Sequence, residues 1–192
     1  MVMASSVSFL GPNYGLQIGN NYGSINAQFL LPDDSGAVNS ISTVPFERDP
    51  GFIEPGLLLQ HVADICSKPA ARLALVGPGG IGKSQIAIEH AYRTHHNSPD
   101  IWVFWIHASN SARFELSYRM LADEVKIPAR IDPNTNIFKL VHDWLQDPKH
   151  GSWVLIVDNL DNDDFLRRVP SSGVPLSSFL PRCQHGSVVF TT

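Results

Sequence analysis

From residue 56 onward the chain alternates between two hydrophobic rhythms. "GLLLQHVADICSK" (56–68) spaces its apolar residues for one helix face, and "RLALVG" (72–77) is a short apolar run that predicts a strand. A helix follows over 84–96, then "IWVFWIHA" (101–108), β-branched and aromatic, as a buried strand. Amphipathic helices are predicted over 111–127, with Ser111 as its cap, and over 136–147, capped by Asn134 or Thr135 and closed by Pro148. "SWVLIVDNL" (152–160) and "GSVVFTT" (186–192) complete the set as two further buried strands. Strands that are apolar throughout, alternating with helices, predict an α/β fold whose parallel sheet is covered on both faces. The four tryptophans, Trp102, Trp105, Trp144 and Trp153, fall on these apolar stretches and are expected in the core.

Before residue 33 the pattern is different. The first charged side chain is Asp33, so all 14 Lys and Arg and all 18 Asp and Glu lie beyond residue 32. The expected organisation is a disordered segment over 1–32, a linker rich in Pro, Ser, Gly and Asp over 33–50, and a nucleotide-binding domain over 51–192. At 192 residues the chain has room for one sizeable core and a tail. A net charge of −4 and a pI near 6.0 offer neither a basic footprint for nucleic acid nor a polybasic patch for a membrane. No apolar run is long enough to span a bilayer, and the first residues lack the basic start of a secretory leader. Cys66 and Cys183 are far apart and form no CxxC, which points to a reducing compartment and a cytoplasmic location.

The candidate chemistry lies between the strand at 72–77 and the helix after it. "GPGGIGKS" satisfies G-x-x-x-x-G-K-[ST] in the strand-to-helix context that the motif requires. Gly77, Pro78, Gly79, Gly80, Ile81 and Gly82 would wrap backbone N–H groups round phosphate oxygens, and the helix start at Gln85 adds its partial positive charge. Lys83 would reach the β/γ-phosphates, and the Ser84 hydroxyl would ligate Mg²⁺. The ligand expected is therefore ATP or ADP with Mg²⁺. Asp158, at the tip of an apolar strand, is the candidate carboxylate for the Mg²⁺ shell. Asp161 is either a water-ordering group or an ordinary turn residue. Asn159 follows Asp158 and has no general base to offer, so the expected activity is at most a slow NTPase.

A second signal lies at the other end. "NYGLQIGNN" (13–21) reads almost identically in both directions about Gln17. As an extended strand, one face alternates amides with glycines (Asn13, Gly15, Gln17, Gly19, Asn21) and the other carries Tyr14, Leu16 and Ile18. From 13 to 31 there is neither proline nor charge, the composition of an in-register cross-β zipper.

Together these motifs resemble two known classes. "ALVGPGGIGKSQIAIEHAYR", "VFWIHASNSARFE", "WVLIVDNLD" and "GSVVFTT" make residues 44–192 similar to the NB-ARC type of STAND NTPase found in fungal NLR-like proteins. That resemblance implies a three-layer P-loop NTPase sandwich, here C-terminally incomplete, acting as a nucleotide switch. It makes Gly77–Ser84 the Walker A loop and Asp158 the Walker B acid. Thr191 and Thr192 would stand near the γ-phosphate, and Phe52 and Ile53 on the adenine side, followed by Glu54-Pro55 where the family has Gly-Arg. The family's next strand would pair beside the phosphate strand, so that strand is expected to stand as an open edge. The N-terminal palindrome is similar to the amyloid signalling motif of the same fungal proteins, and "LQIG" to the core of the RIP homotypic interaction motif. This implies self-association through residues 13–21 and an effector protein carrying a matching motif. The competing readings are a generic P-loop ATPase or kinase with an inert tail, and a truncated amyloid adaptor.

Overall fold

The computed structural model describes residues 40–162, 164–167 and 173–192. The expectations for the 1–32 segment and its motif at 13–21 lie outside the described residues. Within them the chain runs through α1 (Leu58–Cys66), β1 (Arg72–Leu75), α2 (Lys83–Asn97), β2 (Trp102–His107), α3 (Ser111–Glu124), α4 (Ile137–Gln146), β3 (Trp153–Asp158), the one-turn α5 (Asp164–Arg167) and β4 (Gly186–Thr191). The four strands form one parallel sheet in the order β1-β4-β3-β2.

Side chains alternate across this sheet, so β2, β3 and β4 feed two cores, while β1 gives Leu73 and Leu75 to one of them. Val103, Trp105, Val154, Ile156 and Val189 pack under α1 and α2, against Leu59, Val62, Ile86 and Ala91. Phe104, Ile106, Trp153, Leu155, Val157 and Val188 pack under α3 and α4, against Phe114, Tyr118, Leu121, Val141 and Leu145. Burial on both faces is why β2, β3 and β4 read as unbroken apolar runs. Trp102, Trp105 and Trp153 are buried and Trp144 packs partly buried against the second core, as expected. The indole N–H groups of Trp102 and Trp153 donate to the carbonyls of His150 and Leu145, both at 2.8 Å.

Two helix caps differ from the expectation. Asn110, not Ser111, caps α3: its side-chain oxygen accepts from Arg113 N at 3.0 Å. Asn136, not Asn134 or Thr135, caps α4 in the same way, through Lys139 N at 3.1 Å. In both, an amide one turn before the third helical N–H satisfies a group the helix leaves unpaired.

The segment expected as a linker is, over 40–50, seated on the fold. Ser42 pairs in parallel with Val103 on the outer edge of β2. Thr43 N donates to Val103 O at 2.9 Å, Val103 N to Ile41 O at 3.1 Å, and Ser40 Oγ to Pro99 O. Further along, Arg48 forms two hydrogen bonds to the Glu89 carboxylate, at 2.9 and 2.7 Å, while Tyr92 donates to Phe46 O. Glu89 is only 3% exposed in the middle of α2. It also accepts from Arg93, which reaches on to Glu54. In this strap of residues 40–54, residues 41–43 cover the β2 edge and the rest is tied to α2, whereas β1 pairs only with β4 and stands as an open edge among the described residues, as expected.

Candidate functional site

The chain leaving β1 crosses to β2 on the face of α1 and α2, and the chain returns through β3 and β4 by way of the opposite face. Such a reversal opens a crevice beyond the carboxyl ends of parallel strands. The glycine loop lies there. Gly80 and Gly82 take φ of 79° and 94°, a region in which a side chain would be strained. Gly82 also begins α2, accepting from Ile86 N, and no side chain caps that helix start. The first N–H groups of a 15-residue helix are thus left to meet an anion, with the helix dipole behind them.

A cavity of about 490 Å³ forms around this loop, lined by Gly77, Gly79, Gly80, Gly82, Lys83, Ser84, Gln85, Asn159, Asp161, Thr191 and Thr192. Lys83 Nζ donates to the carbonyl oxygens of Gly77 and Pro78, both at 2.9 Å, which holds the ammonium within the loop. Asp158, 4% exposed, lies behind the cavity wall. Its Oδ1 accepts from Ser84 Oγ and from Thr191 Oγ1, each at 2.7 Å. A hydroxyl and a carboxylate in contact, beside a glycine cradle and a lysine, are hard oxygen donors of the kind Mg²⁺ prefers. The residues present therefore fit a nucleotide phosphate chain with its Mg²⁺: loop N–H groups and Lys83 for the phosphates, Ser84 and Asp158 for the cation.

Not every expected site residue converges here. Pro78 and Ile81 belong to the loop without lining the cavity, and Ile81 is exposed. Phe52 and Ile53 are not brought to the cavity either. Phe52 packs half-buried against the α1/α2 core, and Ile53 is 88% exposed. Thr191 lines the cavity but spends its hydroxyl on the strand tips. Only 1% exposed, it donates to Asp158 and accepts from Asn159 N at 2.8 Å. Asn159 needs that anchor, because it turns the chain at φ 61°, in the left-handed region. Asp161 is exposed on the cavity rim.

Sequence reasoning missed His107. It ends β2, in register with Asp158 at the end of β3. Only the strand register brings the two together, and no local pattern in the sequence carries that. Among the described residues there is no cluster of three or more His, Cys, Asp or Glu that would hold a metal by itself. No helix of the described residues is long and apolar enough to cross a membrane.

A parallel α/β sheet with a glycine loop between β1 and α2, and an acidic strand tip beside it, defines the P-loop class. The comparisons narrow this. Residues 3–27 match the family model of the SesB domain on fungal death-pathway protein. Over 161 residues, 78% of this chain, the sequence is 30% identical to a nucleotide-binding leucine-rich repeat (NLR)-like protein of Hyaloscypha variabilis, and the match spans 16% of that relative's length. Among solved structures, Cdc6p from Pyrobaculum aerophilum superimposes with a TM-score of 0.45 at 15% identity, over 74% of this chain and 41% of that one. The chain is thus similar to fungal NLR-like and death-pathway proteins, as its sequence motifs implied.

Proposed function

We propose that this chain is the nucleotide-binding switch of a fungal NLR-like signalling protein that acts in the cytoplasm, in innate immunity or cell death. ATP or ADP would sit on Gly77–Ser84, with Mg²⁺ held between Ser84 and Asp158, in a nucleotide-binding domain over 51–192. The N-terminal segment, 1–32, would act as a separate signalling unit that self-associates through residues 13–21 and templates an effector bearing a matching motif. The observation that carries the switch reading is the contact of Ser84 with Asp158 at the mouth of an uncapped, glycine-led helix. The match of residues 3–27 to a death-pathway family supports the signalling half. A slow reaction suits this reading better than rapid turnover: Asn159 follows the Asp158 carboxylate, and an amide does not take a proton from water. Raising the local concentration of N-terminal motifs by assembling the switch would then drive their association.

The test is calorimetric titration of the 192-residue chain with ADP, beside Lys83→Ala. The wild type is expected to bind and the variant to show no measurable binding. An unchanged affinity in Lys83→Ala overturns the assignment of the site.

A further inference from the structure

His107 has no part in the phosphate cavity, yet it stands beside the residue on which the cation site depends. Its Nδ1 lies 3.8 Å from Oδ2 of Asp158. That is the carboxylate oxygen left over after Ser84 and Thr191 have both donated to Oδ1. Its other ring nitrogen, Nε2, is 2.7 Å from Nη1 of Arg113. A guanidinium only donates, so Nε2 is the acceptor, and the ring proton is assigned to Nδ1, the nitrogen nearest Asp158.

The ring is also held from behind. His107 N donates to Ser117 Oγ at 3.0 Å, and that hydroxyl donates to the Arg113 carbonyl at 2.9 Å. Arg113 N is in turn fixed by the Asn110 cap. The tip of β2 and the first turns of α3 therefore form one closed set of bonds, whose free end is an N–H beside a buried carboxylate. The 3.8 Å separation is too long for a hydrogen bond, so the ring edge stands against the carboxylate without being bonded to it. The ring acts as a wall with an N–H edge that limits where the carboxylate turns.

We propose that His107, held in its Nδ1–H form by Arg113, is a positioning residue for Asp158 and sets the Mg²⁺-dependent part of nucleotide affinity without touching the nucleotide. This rests on the reading of the loop cavity as a nucleotide site. Groups that orient a metal-holding carboxylate from outside change metal affinity by roughly 10- to 100-fold when removed. Phosphate binding to the loop and Lys83 uses none of these atoms, so it is independent of His107.

The experiment compares wild type, His107→Leu and His107→Asn as full chains. A non-hydrolysable ATP analogue is titrated by calorimetry with saturating Mg²⁺ and again in excess EDTA. The quantity read is the ratio of the two affinities. In His107→Leu that ratio is expected to fall by about tenfold while the affinity in EDTA is unchanged. In His107→Asn, whose amide nitrogen replaces Nδ1–H, most of the ratio is expected to return. An unchanged ratio in His107→Leu overturns the proposal, as does an equal loss with and without Mg²⁺, which would mark a general effect on the fold. A wild type that binds the analogue equally well in EDTA overturns it too. A wild type that binds under neither condition overturns the nucleotide reading itself, and the proposal with it.

Discussion

Replacing Thr191 by Val isolates one buried hydroxyl at nearly constant shape. Thr191 Oγ1 makes two bonds: it donates to Asp158 Oδ1 at 2.7 Å and accepts from Asn159 N at 2.8 Å. The first ends on a carboxylate 4% exposed, and a hydrogen bond to a charged group contributes about 1.5–3 kcal/mol. The second satisfies a backbone N–H on an exposed residue, where water replaces part of what is lost, so about 1 kcal/mol is appropriate. The expected cost of Thr191→Val is therefore about 2.5–4 kcal/mol. Thr191→Ser keeps the hydroxyl and loses one methyl, for about 1 kcal/mol. Urea unfolding followed by tryptophan fluorescence measures both, at unchanged dependence on denaturant. A Val variant within about 0.5 kcal/mol of wild type refutes the reasoning, since ordinary surface substitutions fall in that range. So does a Ser variant destabilised as much as Val, because the hydroxyl would then be irrelevant.

Three further outcomes follow from other parts of the molecule. The Glu89 carboxyl is held down to about 2 from its ordinary 4.5, first by the hydrogen bond from Arg48. A folded value below the unfolded one gives stability that is full above about pH 4.5 and lost as pH falls toward 2, so the acid decline of wild type should be steeper than that of Glu89→Gln, and parallel profiles would contradict this. A Cβ at Gly186 would overlap the buried Trp153 ring, so Gly186→Ala is expected to destabilise by at least about 1–3 kcal/mol and to shift tryptophan emission, and a wild-type denaturation curve would sink the claim. If the N-terminal motif builds cross-β fibres, the full chain forms dye-binding fibres and Gln17→Lys does not, while equal behaviour of the two denies the motif that role.

The layout of the fold was legible because its signals are local. Apolar runs over four strands, helical spacing between them and the glycine loop each lie within a dozen residues. The strap was not legible. Its prolines, serines and acidic residues have linker composition, and what seats it comes from far along the chain: Arg48 meets Glu89, Phe46 O meets Tyr92, and Ser42 pairs with Val103. For the same reason Glu89 reads as a surface charge in a helix, although two arginines cover it. In the site, Lys83, Ser84 and Asp158 were legible from a motif. The engagement of Thr191 with Asp158 and Asn159, and the approach of His107, depend on strand register, which the order of elements along the chain does not determine. Phe52 and Ile53 were legible only as an apolar pair, and nothing local in that pair says which surface it meets.

The strap makes the sheet one-sided. With residues 41–43 laid along β2, the margin left uncovered among the described residues is that of β1, where a strand pairing edge-on would find free N–H and C=O groups. β1 runs straight into Val76 and the glycine loop, so the uncovered margin of the sheet ends at the turn that opens the cavity.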